Sequence, residues 1–192
     1  MATIPLIGIG ASKGGSGMRF EGAARRVILK AAEKARQLGH SYVGTAHLLL
    51  ALGEEPGLTS MLLTGSGMRM QTVQQMAAVL YGKGSAGLPL PQGFSAQMRK
   101  VLHRAGDEAK HLQDRQVRPV HLLLSLTRRH ESTAVMVLRI AGADPDELFT
   151  MGLECRFRME GRRRSKEGIS MNHRQQQTRQ MLGKKVHIRI DR

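Results

Sequence analysis

The sequence predicts an all-α domain made of two copies of one four-helix unit, packed about a pseudo-two-fold axis. Three observations carry that expectation. The chain repeats itself: with a constant offset of 74 residues, 20–52 align with 94–126 without a gap, and 12 of the 33 pairs are identical. Apolar residues recur at three- and four-residue steps, the spacing of a helix with one buried face. The apolar stock is aliphatic, with 41% hydrophobic residues against 3% aromatic, twelve Met and no Trp. Such a stock suits packed helices better than strands.

Taken in order, residues 1–19 are Gly/Ser-rich after a short apolar start and read as a flexible arm. The double repeat follows over 20–151. In its first copy, 20–82, Phe20, Ala24, Val27, Ile28, Ala31, Ala35 and Leu38 fall on one helical face, and Gly39 is placed to end that helix in a left-handed cap. A second helix is expected over 45–52 with Thr45 as its N-cap. Pro56-Gly57 marks a turn, and two apolar segments follow, 58–63 and 68–80, separated by Gly-Ser-Gly at 65–67. Residues 83–93 are a linker by composition. The order then restarts over 94–151. Phe20 recurs as Phe94 and the run His47-Leu-Leu-Leu recurs as His121-Leu-Leu-Leu; after one inserted residue, Gly67 matches Gly142. Each copy has more apolar surface than it can bury alone, so the two should share one core.

Residues 152–192 form a basic tail. The formal net charge of +15 is uneven: 156–192 carry 12 Lys/Arg against 3 acids, a net of +9, while 20–155 carry 16 against 12, a net of only +4. The single cysteine, Cys155, excludes an internal disulfide and fits a reducing cytoplasm. No apolar run approaches the roughly 18 residues of a membrane span, and the first residues lack the pattern of a secretory leader.

The stretch "FEGAARRVILKAAEKARQLGHSYVGTAHLLLALGEEPG" resembles the N-terminal double-repeat domain of the Clp-family ATP-driven unfoldases. The landmarks are Phe20 at the first helix, Arg-x-Leu-Gly-His over 36–40, and Gly-Thr-x-His-Leu-Leu-Leu over 44–50. The resemblance covers about 20–151 in both copies, without arm or tail. It implies a Clp N-domain-like fold in a protein without ATPase modules, since roughly forty residues after the repeats cannot hold one. Some members of that family bind phosphorylated arginine on client proteins once per repeat, through the Glu of a Thr-Glu-His triplet near a Ser or Thr that opens the first helix. Here Ala46 and Val120 stand in place of both glutamates, Glu21 replaces one hydroxyl, and only Ser95 keeps the other. Without a carboxylate the guanidinium has no bidentate partner, so that activity is not expected.

His47 and His121 invite a metal or general-base reading. Each sits at the start of a Leu-rich helix with no repeated Cys, Asp or Glu at a ligand spacing. The expectation is structural instead: a partly buried ring whose N–H bonds to backbone near a helix start and locks one helix to the next. The arm sequence "IPLIGIGASKGGSGM" looks like a strand running into a phosphate loop, but Gly17 is followed by Met18-Arg19 where such a loop needs Lys and a hydroxyl. No nucleotide, metal or other cofactor is expected, and no catalytic set is evident. In the tail, Arg162, Arg163, Arg164 and Lys166 form one basic cluster and Lys184-Lys185 another. They leave open a solvated tail, a phosphate backbone in RNA or DNA, or an acidic protein surface. The functional expectation is a cytoplasmic, non-catalytic protein-binding module of a Clp chaperone or protease system, contacting clients, adaptors or the unfoldase through grooves between the repeats. The alternative is a nucleic-acid- or ribosome-associated protein that binds through its tail.

Overall fold

The computed structural model describes residues 19–81, 91–128 and 132–158. The first repeat consists of α1 (Gly22–Gln37), α2 (Thr45–Glu54), α3 (Leu58–Gly65) and α4 (Met70–Tyr81). The second has α5 (Ala96–His111), α6 (Pro119–Thr127), α7 (Thr133–Ile140) and a last helix, α8, over 145–158. This is the all-α double repeat that the periodicity predicts. Residues from Glu154 onward belong to a second compact unit, of which only 154–158 are described.

The duplicated His-Leu-Leu-Leu helices are the centre of the fold. Every residue of α2 from Thr45 to Leu52, and of α6 from Val120 to Thr127, is buried. A helix apolar on all sides needs neighbours on all sides. α2 therefore packs against α1, α3, α4, α7 and α6, and α6 against α5, α1, α3 and α7. α1 and α5 bury one face each. Ala24, Val27, Ile28, Ala31 and Ala35 line it in α1, and Met98, Val101, Leu102, Ala105 and Ala109 in α5. Burial of each large aliphatic side chain contributes about 1.5–3 kcal/mol, which makes the leucines of α2 and α6 the main source of cohesion.

α1 ends as the sequence predicts. Gly39 takes φ 69°, and the N–H of His40 reaches back to the Ala35 carbonyl at 2.9 Å. α5 ends in the same way around Gln113, at φ 56°, with Asp114 N–H on the Ala109 carbonyl at 2.8 Å. A side chain in that left-handed region is strained, so the second copy keeps the geometry without the residue best suited to it.

Thr45 corrects the expected start of α2. The N-cap is Gly44, in extended conformation, and Thr45 is the first helical residue. The Thr45 hydroxyl instead accepts the backbone N–H of Ala134 at 3.2 Å, so it serves the start of α7 in the other repeat. Ser132 caps α7 conventionally, accepting from Val135 N–H at 3.3 Å.

Among the described residues four two-residue strands join the helices, and the apolar spacing gives no sign of them. β1 (Arg19–Phe20) pairs in parallel with β4 (Gln116–Val117), and β2 (Tyr42–Val43) with β3 (Gly93–Phe94). Each repeat's opening strand thus pairs with the strand before the second helix of the other repeat. Gly93, assigned by composition to the linker, lies in β3 opposite Tyr42. The exchange is sealed by matching bonds, Glu21 N–H to the Val117 carbonyl at 2.9 Å and Ser95 N–H to the Val43 carbonyl at 3.0 Å. Arg25 and Arg99 close the same corners by donating to the carbonyls of Phe20 and Phe94 at 2.9 and 2.6 Å.

Candidate functional site

His47 and His121 each occupy the third position of their helix, where the chain leaves unpaired N–H groups at its start. His47 Nδ1 accepts the Gly44 N–H at 2.9 Å, and His121 Nδ1 accepts the Arg118 N–H at 2.9 Å. The ring supplies the acceptor that Glu or Gln gives in an ordinary capping box. Both rings bond to backbone at a helix start, in the direction opposite to the expected one: the backbone donates and the ring accepts. Since Nδ1 accepts, the neutral ring carries its proton on Nε2.

That second nitrogen meets different partners in the two repeats. His47 Nε2 lies 2.8 Å from His40 Nδ1. His121 Nε2 lies 3.0 Å from the Asp114 carboxylate, which also pairs with Arg118 at 3.1 Å. His40 and Asp114 are aligned positions, so one contact is made with two chemistries. In the first repeat Tyr81 completes the cluster, its ring stacked on His47 at 5.0 Å and meeting the His40 ring edge-on at 5.3 Å. Burial, reinforced by the nearby His40, lowers the His47 pKa to about 4. A ring held neutral, locked at both nitrogens and fully buried is a structural element, not a general base. Among the described residues no three His, Cys, Asp or Glu side chains are grouped to hold a metal ion.

The positions that replace the two glutamates are also inside. Ala46 is fully buried, and its N–H meets the Tyr81 hydroxyl at 3.3 Å. A Cβ at Gly44 would overlap that hydroxyl, so Tyr81 and Gly44 fit one another at the mouth of α2. Val120 is 5% exposed. Ser95 caps α5, accepting from Met98 N–H at 3.1 Å, whereas Glu21 makes no such bond at the start of α1. Tyr81 is the site residue that sequence reasoning missed. Its signal was modest: one of only two tyrosines, closing a segment whose other apolar residues are aliphatic.

The surface groups differ in kind. Met61 and Met136, on α3 and α7, occupy matching places in the two repeats and are 71% and 50% exposed. Ile140 and Val79 are exposed as well. Among charged groups, Glu55 is buried and receives Arg26 and Lys30, both at 2.8 Å. Burial opposes its ionisation, but the hydrogen bonds from Lys30 and Arg26 prevail and hold its carboxyl below the ordinary range. Arg162, Arg163, Arg164, Lys166, Lys184 and Lys185 all lie outside the described residues, as does the loop-like segment of the arm.

Two segments, 19–88 and 93–180, match the family model of the Clp repeat (R) N-terminal domain. The chain belongs to that family. This Clp repeat protein is 35% identical over 133 residues to the chloroplastic chaperone protein ClpC1 of Oryza sativa subsp. japonica and, over the same length, to the chloroplastic ClpC of Pisum sativum. Each alignment takes 69% of this chain and 14% of the relative, so the Clp repeat protein spans about a seventh of those curated relatives. Among solved structures, it overlays the N-terminal domain of ClpD from Arabidopsis thaliana with a TM-score of 0.60 at 23% identity, covering 71% of this chain and 93% of that one. The Hsp104 N-terminal domain from Candida albicans gives 0.61 at 23% identity, covering 72% and 91%. At such identity the overlay speaks for the fold. The fold's repeat landmarks, Phe20, Phe94, His47 and His121, are the residues that build its corners and helix starts.

Proposed function

We propose that this protein is a non-catalytic, cytoplasmic protein-binding module of a Clp chaperone or protease system, engaging a client, an adaptor or the unfoldase itself. The observation that carries the reading is the pair Met61 and Met136. Two unbranched, polarisable side chains stand out to solvent at equivalent points of a duplicated domain whose interior is otherwise tightly closed. Exposed methionines adapt to partners of varied shape, which suits a module that must accept more than one. Supporting it, the two histidines that invite a catalytic reading are consumed by helix starts. With Ala46 and Val120 in place of carboxylates, capture of a guanidinium at those positions is not part of the reading. The test is a pull-down from cells with the full chain and with Met61→Glu/Met136→Glu. The wild type should recover a Clp unfoldase, protease subunit or adaptor, and the variant should recover about tenfold less. Recovery of no Clp component by the wild type defeats the proposal.

The net charge of +9 over 156–192 supports a second reading, in which the tail binds RNA or DNA and the helical repeats serve as scaffold. It requires a salt-sensitive association that is lost on deleting 156–192 while the helical domain stays folded. Equal binding by the shortened chain defeats it.

A further inference from the structure

The two repeats carry aligned rows of charged side chains along the outer edge of their first helix, but they neutralise them differently. In α1 the row is Arg26, Lys30 and Lys34. All three are matched by carboxylates at the end of α2: Glu55 takes Arg26 and Lys30, and Glu54 takes Lys34 at 2.6 Å. The aligned row in α5 is Lys100, Arg104 and Glu108. Continuing the offset of 74, Glu54 and Glu55 fall on Arg128 and Arg129, so neither acid recurs at its aligned position, and the next acid, Glu131, lies outside the described residues. Arg128 pairs with Glu108 at 3.5 Å, the reverse of the Lys34–Glu54 pair, and lies over the Phe149 ring at 4.6 Å. That exchange compensates one charge only. Lys100 and Arg104 have no carboxylate partner among the described residues.

We propose that the outer edge of α5, through Lys100 and Arg104 with Arg128 beside them, is a docking surface for an acidic segment of a protein partner. The inference rests on the protein-binding reading above and specifies the chemistry of that partner. Positions four apart on a helix stand about 6 Å from one another, so the surface fits a segment offering two carboxylates at a similar spacing. The first repeat is the internal control. There the two aligned cations are held by a buried carboxylate of the chain itself, and in the second repeat no carboxylate among the described residues pairs with them. A protein segment is favoured over nucleic acid because the stretch 20–155 carries only +4 and few aromatics, whereas a phosphate backbone is gripped by about six to ten cations.

The test measures anisotropy of a labelled octaglutamate peptide with the full chain, at low and at physiological salt. Lys100→Glu/Arg104→Glu should weaken binding at least about tenfold, and Lys100→Gln/Arg104→Gln by several-fold, with far-UV circular dichroism unchanged. Glu55→Gln should strengthen binding, because it frees Arg26 and Lys30 to act as a second such surface. Neutralising Arg162, Arg163, Arg164 and Lys166 should leave the effect of the α5 substitutions intact. The proposal is overturned if the α5 variants bind within twofold of wild type, or if binding is lost only with the tail cluster. It is equally overturned if a single-stranded oligonucleotide of matched charge binds more tightly than the peptide and is the ligand lost from the α5 variants. The Clp reading fails separately. If the wild type recovers no Clp component from cells yet binds octaglutamate through Lys100 and Arg104, the surface stands and only its partner is reassigned.

Discussion

In the first repeat, His47 leans on a second imidazole, the left-handed cap is a glycine, and the lysine at 34 faces the glutamate at 54. In the second, His121 leans on a carboxylate, the cap is a glutamine, and the glutamate at 108 faces the arginine at 128. These three contacts survive in place while their chemistry changes. What stays constant is a set of three bonds to backbone: histidine Nδ1 on the helix-start N–H, the 6→1 bond that closes α1 and α5, and the arginine that caps each opening strand. A backbone group offers one donor and one acceptor whatever the sequence, so it accepts few substitutes. A side-chain pair needs only complementarity, and either partner can be exchanged if the other follows. A duplicated fold therefore fixes its main-chain accounting and lets its surface charges diverge.

The comparison breaks most severely at the core. Leu49→Ala and Leu123→Ala remove aligned, fully buried side chains, and each should cost about 2–5 kcal/mol of unfolding free energy in urea titrations. Costs differing by more than about 1.5 kcal/mol would mean that the two halves do not share the core equally.

Acid should separate the repeats next. The folded chain keeps His47 neutral down to about pH 4, whereas an unfolded histidine takes its proton near 6.5. The stabilisation from the neutral ring is thus complete above pH 6.5 and is lost as pH falls toward 4, to the extent of about 3 kcal/mol. Thermal melts between pH 7 and pH 4 should show this loss. His40→Asp, which copies Asp114, should reduce it by replacing an imidazole that opposes the added proton with a carboxylate that favours it. An acid-side loss identical in wild type and His40→Asp would remove the His40–His47 contact from the explanation.

The smallest effect lies at the caps. Gln113→Gly relieves a left-handed side chain and should raise stability by about 0.5–1 kcal/mol, less than the full strain because glycine also loosens the unfolded chain. Gly39→Gln should lower stability by a similar amount. Equal and opposite shifts in the melting temperature would show that the two turns are interchangeable.

Much of this was legible in the sequence. Periodicity located α1 and α5 because each buries one continuous face, and the offset of 74 exposed the duplication. The strands were not legible: two residues are too few to alternate, and their partners lie far off in the chain. Thr45 misled because hydroxyls are favoured at N-caps, yet this one is turned toward Ala134 across the repeat boundary. The partners of the histidines depended on side-chain direction, which no spacing reveals. Lys100 and Arg104, without a carboxylate partner among the described residues, were within reach, since Glu54-Glu55 align with Arg128-Arg129.

The reciprocal strand pairing also governs when this protein can fold as it leaves the ribosome. Phe20 has no partner until Val117 has been made, and Val43 waits for Phe94. At about 5–20 residues per second, the opening strand stays unpaired for at least several seconds of synthesis. Through that interval the leucines of α2 lack α6 and α7, and the nascent first repeat is itself a segment with exposed apolar surface. A domain of the Clp repeat family thus passes through a stage in which it needs the same protection from aggregation as any other unfinished chain.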